Sequence, residues 1–107
     1  MATDESQDPF ARISSFEWDE KKRTRNLAKH GIDFEDATEV FYGEALVSRS
    51  NRKNEERWIA LGEVEGRIIA VVYTWRKSAL RLISARRASK NEATEYRRQK
   101  GGRSPKR

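Results

Sequence analysis

Apolar positions recur at helical spacing through Phe34, Ala37, Val40 and Phe41, then alternate beyond Gly43, so the chain reads as helices followed by strands. Upstream, Asp19 can cap a helix carrying Lys21 to Lys29 that stops at Gly31, the residue type best suited to the left-handed conformation after a last turn. Leu27 and Ala28 give that helix little apolar surface, so Trp18 and Phe16 are expected to anchor its start. Asp33 repeats the start signal, with Ile32 and Ala37 placed as a hydrophobic staple, and Gly43 ends the second helix.

Ala45 to Ser50 reads as a first strand, Asn51 to Asn54 as a loop, and Glu56 to Glu63 as a second strand with Arg57, Ile59 and Leu61 on one face. Glu65 and Gly66 form a two-residue hairpin turn into Arg67 to Trp75, whose unbroken apolar run from Ile68 to Tyr73 suits a strand buried on both faces. After a turn at Arg76 to Ser78, strict alternation over Ala79 to Arg87 sets Leu80, Leu82, Ser84 and Arg86 against Arg81, Ile83, Ala85 and Arg87. Ser89 and Glu92 make a capping box for a last helix reaching about Lys100. The expected fold class is α+β: two N-terminal helices, a four-stranded antiparallel sheet and a C-terminal helix. Residues 1–15 read as a flexible extension, 16–100 as the domain and 101–107 as a basic flexible tail.

Composition sharpens this picture. Leu, Ile, Val and Phe number only 20 of 107 residues, but 10 of them fall between Trp58 and Ile83, so one small core can form around the strands. Charge is divided as well. Met1 to Glu56 holds 9 basic and 13 acidic residues, whereas Arg57 to Arg107 holds 14 and 4, which points the second half toward a polyanion. The absence of cysteine excludes disulfide scaffolds, thiolate zinc sites and thiol catalysis. No apolar run approaches the length of a membrane span and the N-terminus lacks a signal-peptide pattern, so a cytoplasmic location is expected.

Five arginines lie on or beside the predicted strands: Arg57, Arg76, Arg81, Arg86 and Arg87. A guanidinium is always charged and grips phosphate through parallel hydrogen bonds, so such a set can hold a nucleic acid backbone and stabilise charge building on it. Each can equally cover apolar surface or pair with Glu55, Glu56, Glu63 or Glu65. Trp58, Tyr73 and Trp75 could stack bases or fill the core, and Tyr96 on the last helix is the better exposed aromatic candidate. His30 is the sole histidine, which excludes a nuclease using one His as base and another as acid. Carboxylates are scarce in the basic half, so no metal or other cofactor is expected. The remaining cleavage chemistry is metal-free attack of a ribose 2′-hydroxyl on its own phosphate, with Tyr, His30 or Lys relaying protons.

Phe16-Glu17-Trp18-Asp19, Asn26, Lys29-His30-Gly31-Ile32-Asp33-Phe34-Glu35-Asp36-Ala37, Arg57, Tyr73-Thr74-Trp75-Arg76, Arg81 to Ala88 and Glu95-Tyr96 together resemble the BrnT toxins of bacterial toxin-antitoxin pairs. The resemblance runs from Phe16 to about Arg98. It implies a RelE-like α+β fold, a ribonuclease that stops translation, and a BrnA-type antitoxin that binds promoter DNA as a ribbon-helix-helix dimer. Position by position it points at His30, Arg57, Tyr73, Arg76, Arg81, Arg86 and Tyr96. Taken with the strand arginines, the expected catalytic residues are Arg76, Arg86, Tyr96 and His30 and the expected RNA contacts Arg57, Tyr73, Arg81 and Arg87, with no metal. A non-catalytic nucleic-acid-binding or protein-interaction module is the competing expectation.

Overall fold

In the computed structural model, which describes residues 10–52 and 55–101, the Asp19 carboxylate accepts hydrogen bonds from the Lys21 and Lys22 N–H groups and so caps α1 (Glu20–His30). Gly31, at φ 72°, closes it by donating to the Leu27 carbonyl. Asp33 caps α2 (Phe34–Ala37), which tightens into a 3₁₀ turn over Thr38–Tyr42 rather than continuing as one helix. Its stripe is nevertheless the expected one, with Phe34, Ala37, Val40 and Phe41 all buried. Arg23 fastens α1 to α2 through two hydrogen bonds to the Asp33 carboxylate, at 2.8 and 3.0 Å.

The strands are β1 (Ser15–Glu17), β2 (Leu46–Arg52), β3 (Glu55–Val64), β4 (Arg67–Arg76) and β5 (Ala79–Arg87), and α3 (Lys90–Gly101) ends the described chain. They form one five-stranded sheet in the order β1-β5-β4-β3-β2. The meander β2 to β5 is antiparallel as expected. The four-stranded expectation is corrected by β1, which pairs in parallel with the start of β5 through Ser15, Phe16 and Glu17. Three residues carry too little period to be read as a strand, and Phe16 finds its apolar surroundings only in the fold, paired with Leu80 and with its ring 5.8 Å from that of Phe41. Glu65 and Gly66, at φ 52° and 79°, make the predicted tight β3-β4 turn.

The core lies between α1, α2, the 3₁₀ turn and one sheet face, where Ala60, Val64, Ile69, Val71, Tyr73, Leu80, Leu82 and Ala85 are buried. Each large side chain there contributes about 1.5–3 kcal/mol by leaving water. The core reaches further back than the expected boundary at Phe16: Phe10 packs edge-on to Phe41 at 4.9 Å between ring centroids, and Ser14 bonds to Ser78 through backbone and hydroxyl. Residues 1–9 and 102–107, and the loop tip at 53–54, lie outside the described residues, so the flexible ends expected there are not described. Among the described residues no helix is long and apolar enough to cross a membrane.

Candidate nucleic-acid interface

Strict alternation along β5 fails at one place. Val72 pairs with Ser84 and Tyr73 with Leu82, so Ile83 is an extra residue and the strand changes phase there. Leu80, Leu82, Ala85 and Arg87 therefore share the core side, while Arg81, Ser84 and Arg86 share the opposite face. This corrects the grouping expected from period two. The bulge has a consequence for charge: Arg81 lies opposite Thr74 and Arg86 opposite Ala70, on the same face as Arg76 and, across β3, Arg57. Four of the five candidate arginines thus point to one side of the sheet. Arg87 stands apart, exposed beside Ile69 on the other.

Their partners differ from those the sequence offered. Arg81 forms an ion pair with Glu17 on β1 at 3.2 Å. Arg86 makes a two-pronged contact with Glu92 at 2.8 and 3.0 Å, and the same carboxylate accepts from the Ser89 N–H while the Ser89 hydroxyl accepts from the Glu92 N–H. The predicted capping box is thereby fused to a strand arginine, and it locks the start of α3 onto β5. The Arg86 hydrogen bond and the Ser89 N–H together hold the Glu92 carboxyl at about 2, well below its usual value near 4.5. Arg76 is exposed and makes no ion pair or side-chain hydrogen bond among the described residues, which leaves its fork open to an incoming anion.

Two aromatic candidates lie inside the protein. Tyr73 is 2% exposed amid Phe10, Phe41 and Trp75, so its ring is core and offers no platform to a base. Burial pushes its hydroxyl pKa up. Tyr96, expected to be exposed, is 9% exposed: its ring seats α3 on Leu61 and Ala70, and its hydroxyl donates to the Glu44 carbonyl at 3.3 Å. Burial, then the charges of Glu63 and Glu44, raise its pKa, which disfavours loss of its proton.

His30 sits half-buried in the last turn of α1 and lines a shallow groove with Lys22, Arg25, Asn26, Lys29, Ile83 and Ser84. The groove opens where β1 has ended and β5 still has a free edge. Asn26, the one buried polar side chain among the described residues, fixes α1 there by hydrogen bonds to Ala85 and to the Ile32 carbonyl. Sequence reasoning singled out neither Ser84 nor the α1 cations as functional. Their signal was the spacing of Lys22, Arg25, Asn26 and Lys29 along one helical stripe. Among the described residues, no three His, Cys, Asp or Glu side chains converge as a metal site requires.

Residues 18–92 match the family model described as the ribonuclease toxin, BrnT, of type II toxin-antitoxin systems. The chain is also similar to the crystal structure of the Brucella abortus ribonuclease toxin, BrnT, at 42% identity and a TM-score of 0.61, covering 71% of this chain and 97% of that one. No curated protein matches.

Proposed function

The chain belongs to the BrnT ribonuclease toxin family of type II toxin-antitoxin systems, and from that premise we propose that it cuts RNA without a metal, across the sheet face carrying Arg57, Arg76 and Arg81. The observation that carries the reading is that these arginines share the face turned away from the core, Arg81 opposite Thr74, Arg76 two residues on, and Arg57 next to Thr74 across β3, with the bulge at Ile83 adding Ser84 and Arg86 to the same side. Fixed guanidinium groups aimed at a phosphate stabilise the charge that grows on its oxygens in the transition state. In the proposed reaction the 2′-oxygen bonds to phosphorus as the bond from phosphorus to the 5′-oxygen breaks. A base takes the 2′-hydroxyl proton and an acid supplies one to the leaving 5′-oxygen, giving a 2′,3′-cyclic phosphate and a 5′-hydroxyl end. His30, beside Ser84 on the edge of this face, is the proposed proton carrier. Arg86 and Tyr96 are assigned to seating α3, since the first is clasped by Glu92 and the second is buried against Leu61 and Ala70.

The proposed setting is cytoplasmic, where cleavage arrests translation until a BrnA-like, DNA-binding ribbon-helix-helix antitoxin covers the toxin. The test is to incubate the full chain with RNA in EDTA and map the ends. Cyclic phosphate and 5′-hydroxyl products, with growth arrest relieved by co-expression of the partner gene, support the reading. Cleavage abolished by EDTA would remove the metal-free chemistry. Salt-sensitive binding that yields no ends would leave a non-catalytic binding module instead.

A further inference from the structure

The groove along the free edge of β5 is lined by Lys22, Arg25, Asn26, Lys29, His30, Ile83 and Ser84, and no carboxylate is among them. Other grooves of the molecule each include a carboxylate, Asp36 and Glu65 in one, Glu63 in a second and Glu20 in a third. Like exposed Arg76, Lys22, Arg25 and Lys29 form no ion pair among the described residues. The three cations lie on one stripe of α1, and seven residues of helix set Lys22 and Lys29 about 10 Å apart along its axis. They come from the half of the sequence whose net charge is negative, so composition by halves conceals them.

The stripe is continuous with the arginine face. Ser84 belongs to that face by its pairing with Val72 and is at the same time part of the groove lining. At the other end, the Lys22 N–H donates to the Asp19 carboxylate, and Glu17, two residues before Asp19, pairs with Arg81 of the arginine face. Asn26 holds the stripe rigidly against β5, so the cations are presented by fixed backbone and not by a loop.

We infer that this groove is a second stretch of RNA-phosphate track, in which Lys22, Arg25 and Lys29 neutralise the backbone and the Ser84 hydroxyl marks where the strand turns off the arginine face around the β5 edge. The inference rests on the proposed RNA reading and extends its footprint to α1. A polyanion that releases counterions at each contact binds with a salt slope of roughly 0.7 per neutralised phosphate for single strands. The number of contacts can therefore be counted.

The experiment measures salt-dependent binding of a fluorescent 2′-O-methyl oligoribonucleotide, which cannot be cleaved through its 2′-oxygen. It compares the full chain with two double variants of equal charge change: Lys22→Ala with Lys29→Ala, and Arg12→Ala with Arg97→Ala on exposed positions outside the groove lining. Thermal melts establish that both remain folded. The expected result is a slope shallower by about 1.4 for the lysine pair and an unchanged slope for the arginine pair. Equal reductions in both would reduce the effect to net charge and overturn the groove. An unchanged slope in the lysine pair, with or without loss of a protein partner, also overturns it while leaving the arginine face standing. Failure of the unaltered chain to bind RNA at all would bring down the underlying RNA reading.

Discussion

The side-chain amide of Asn26 stands in for a missing strand at Ala85: its Nδ2 donates to the Ala85 carbonyl at 2.8 Å and its Oδ1 accepts from the Ala85 N–H at 3.1 Å. β1 covers β5 only as far as Arg81, so without this contact the Ala85 backbone would be unsatisfied where α1 shields it from water. A second Nδ2 hydrogen bond, to the Ile32 carbonyl at 3.0 Å, ties in the turn after α1. One amide thus does for α1 what an apolar stripe does for most helices.

Replacing it should be costly. Asn26→Ala leaves one donor and two acceptors buried without partners and is expected to destabilise by about 2–4 kcal/mol, read as a lower urea midpoint. Asn26→Asp should cost more at neutral pH, because a carboxylate would face two carbonyl oxygens, and should recover part of the loss in acid as that carboxyl gains a proton. Equal midpoints for Asn26→Ala and the unaltered chain would show that the amide is dispensable.

Acid stability should carry the signature of the Arg86-Glu92 clasp. Glu92 has a folded-state pKa of about 2, lowered from about 4.5, so its contribution is present above pH 4.5 and is lost progressively as pH falls toward 2. Glu92→Gln should therefore melt below the unaltered chain at pH 7, with the gap closing across that window. A gap that stayed constant down to pH 2 would mean that the ionised pair contributes nothing.

The local rules of the chain were legible because their signals are local: Asp19 and Gly31 bracket α1, Ser89 and Glu92 cap α3, and Glu65-Gly66 turns the hairpin. What escaped depends on contacts distant in sequence. The bulge at Ile83 leaves no mark in alternation, yet it decides that Arg86, and not Arg87, shares the face of Arg81. β1 exists only because β5 offers it an edge, and Tyr96 appears exposed on a charged helix until Leu61 and Ala70 are brought beneath it. For the candidate site, the arginines were readable as a set, but neither their common side nor the α1 stripe was.

Packing between the 3₁₀ turn and β3 makes a separate prediction. A Cβ added at Gly62 would lie 2.9 Å from Val40 Cγ1 and 3.1 Å from Cγ2, and Val40 is 2% exposed with no room to swing away. Gly62→Ala should cost about 1–3 kcal/mol by overpacking. Val40→Ala should also destabilise, by leaving a void, but the double variant should be more stable than the sum of the two losses because each change relieves the other. Simple additivity in urea unfolding would place the strain elsewhere.

Arg76 and Arg86 separate catalysis from support most directly, since both lie on the proposed RNA face but only one is committed to an internal partner. Arg86→Ala strips Glu92 of its clasp and loosens α3, so its loss of activity should come with a lower melting temperature and be partly restored by Glu92→Gln, which removes the unpaired charge. Arg76→Ala should leave the melt unchanged, because the side chain is exposed and has no described partner to abandon. If its guanidinium stabilises transition-state charge, RNA cleavage should nevertheless fall by about 10²–10³ in turnover, as for loss of an oxyanion donor. A fall in RNA affinity with turnover intact would instead make Arg76 a binding residue. Full activity in Arg76→Ala, with the loss confined to Arg86→Ala, would reverse the two roles and move the cleavage centre toward the start of α3.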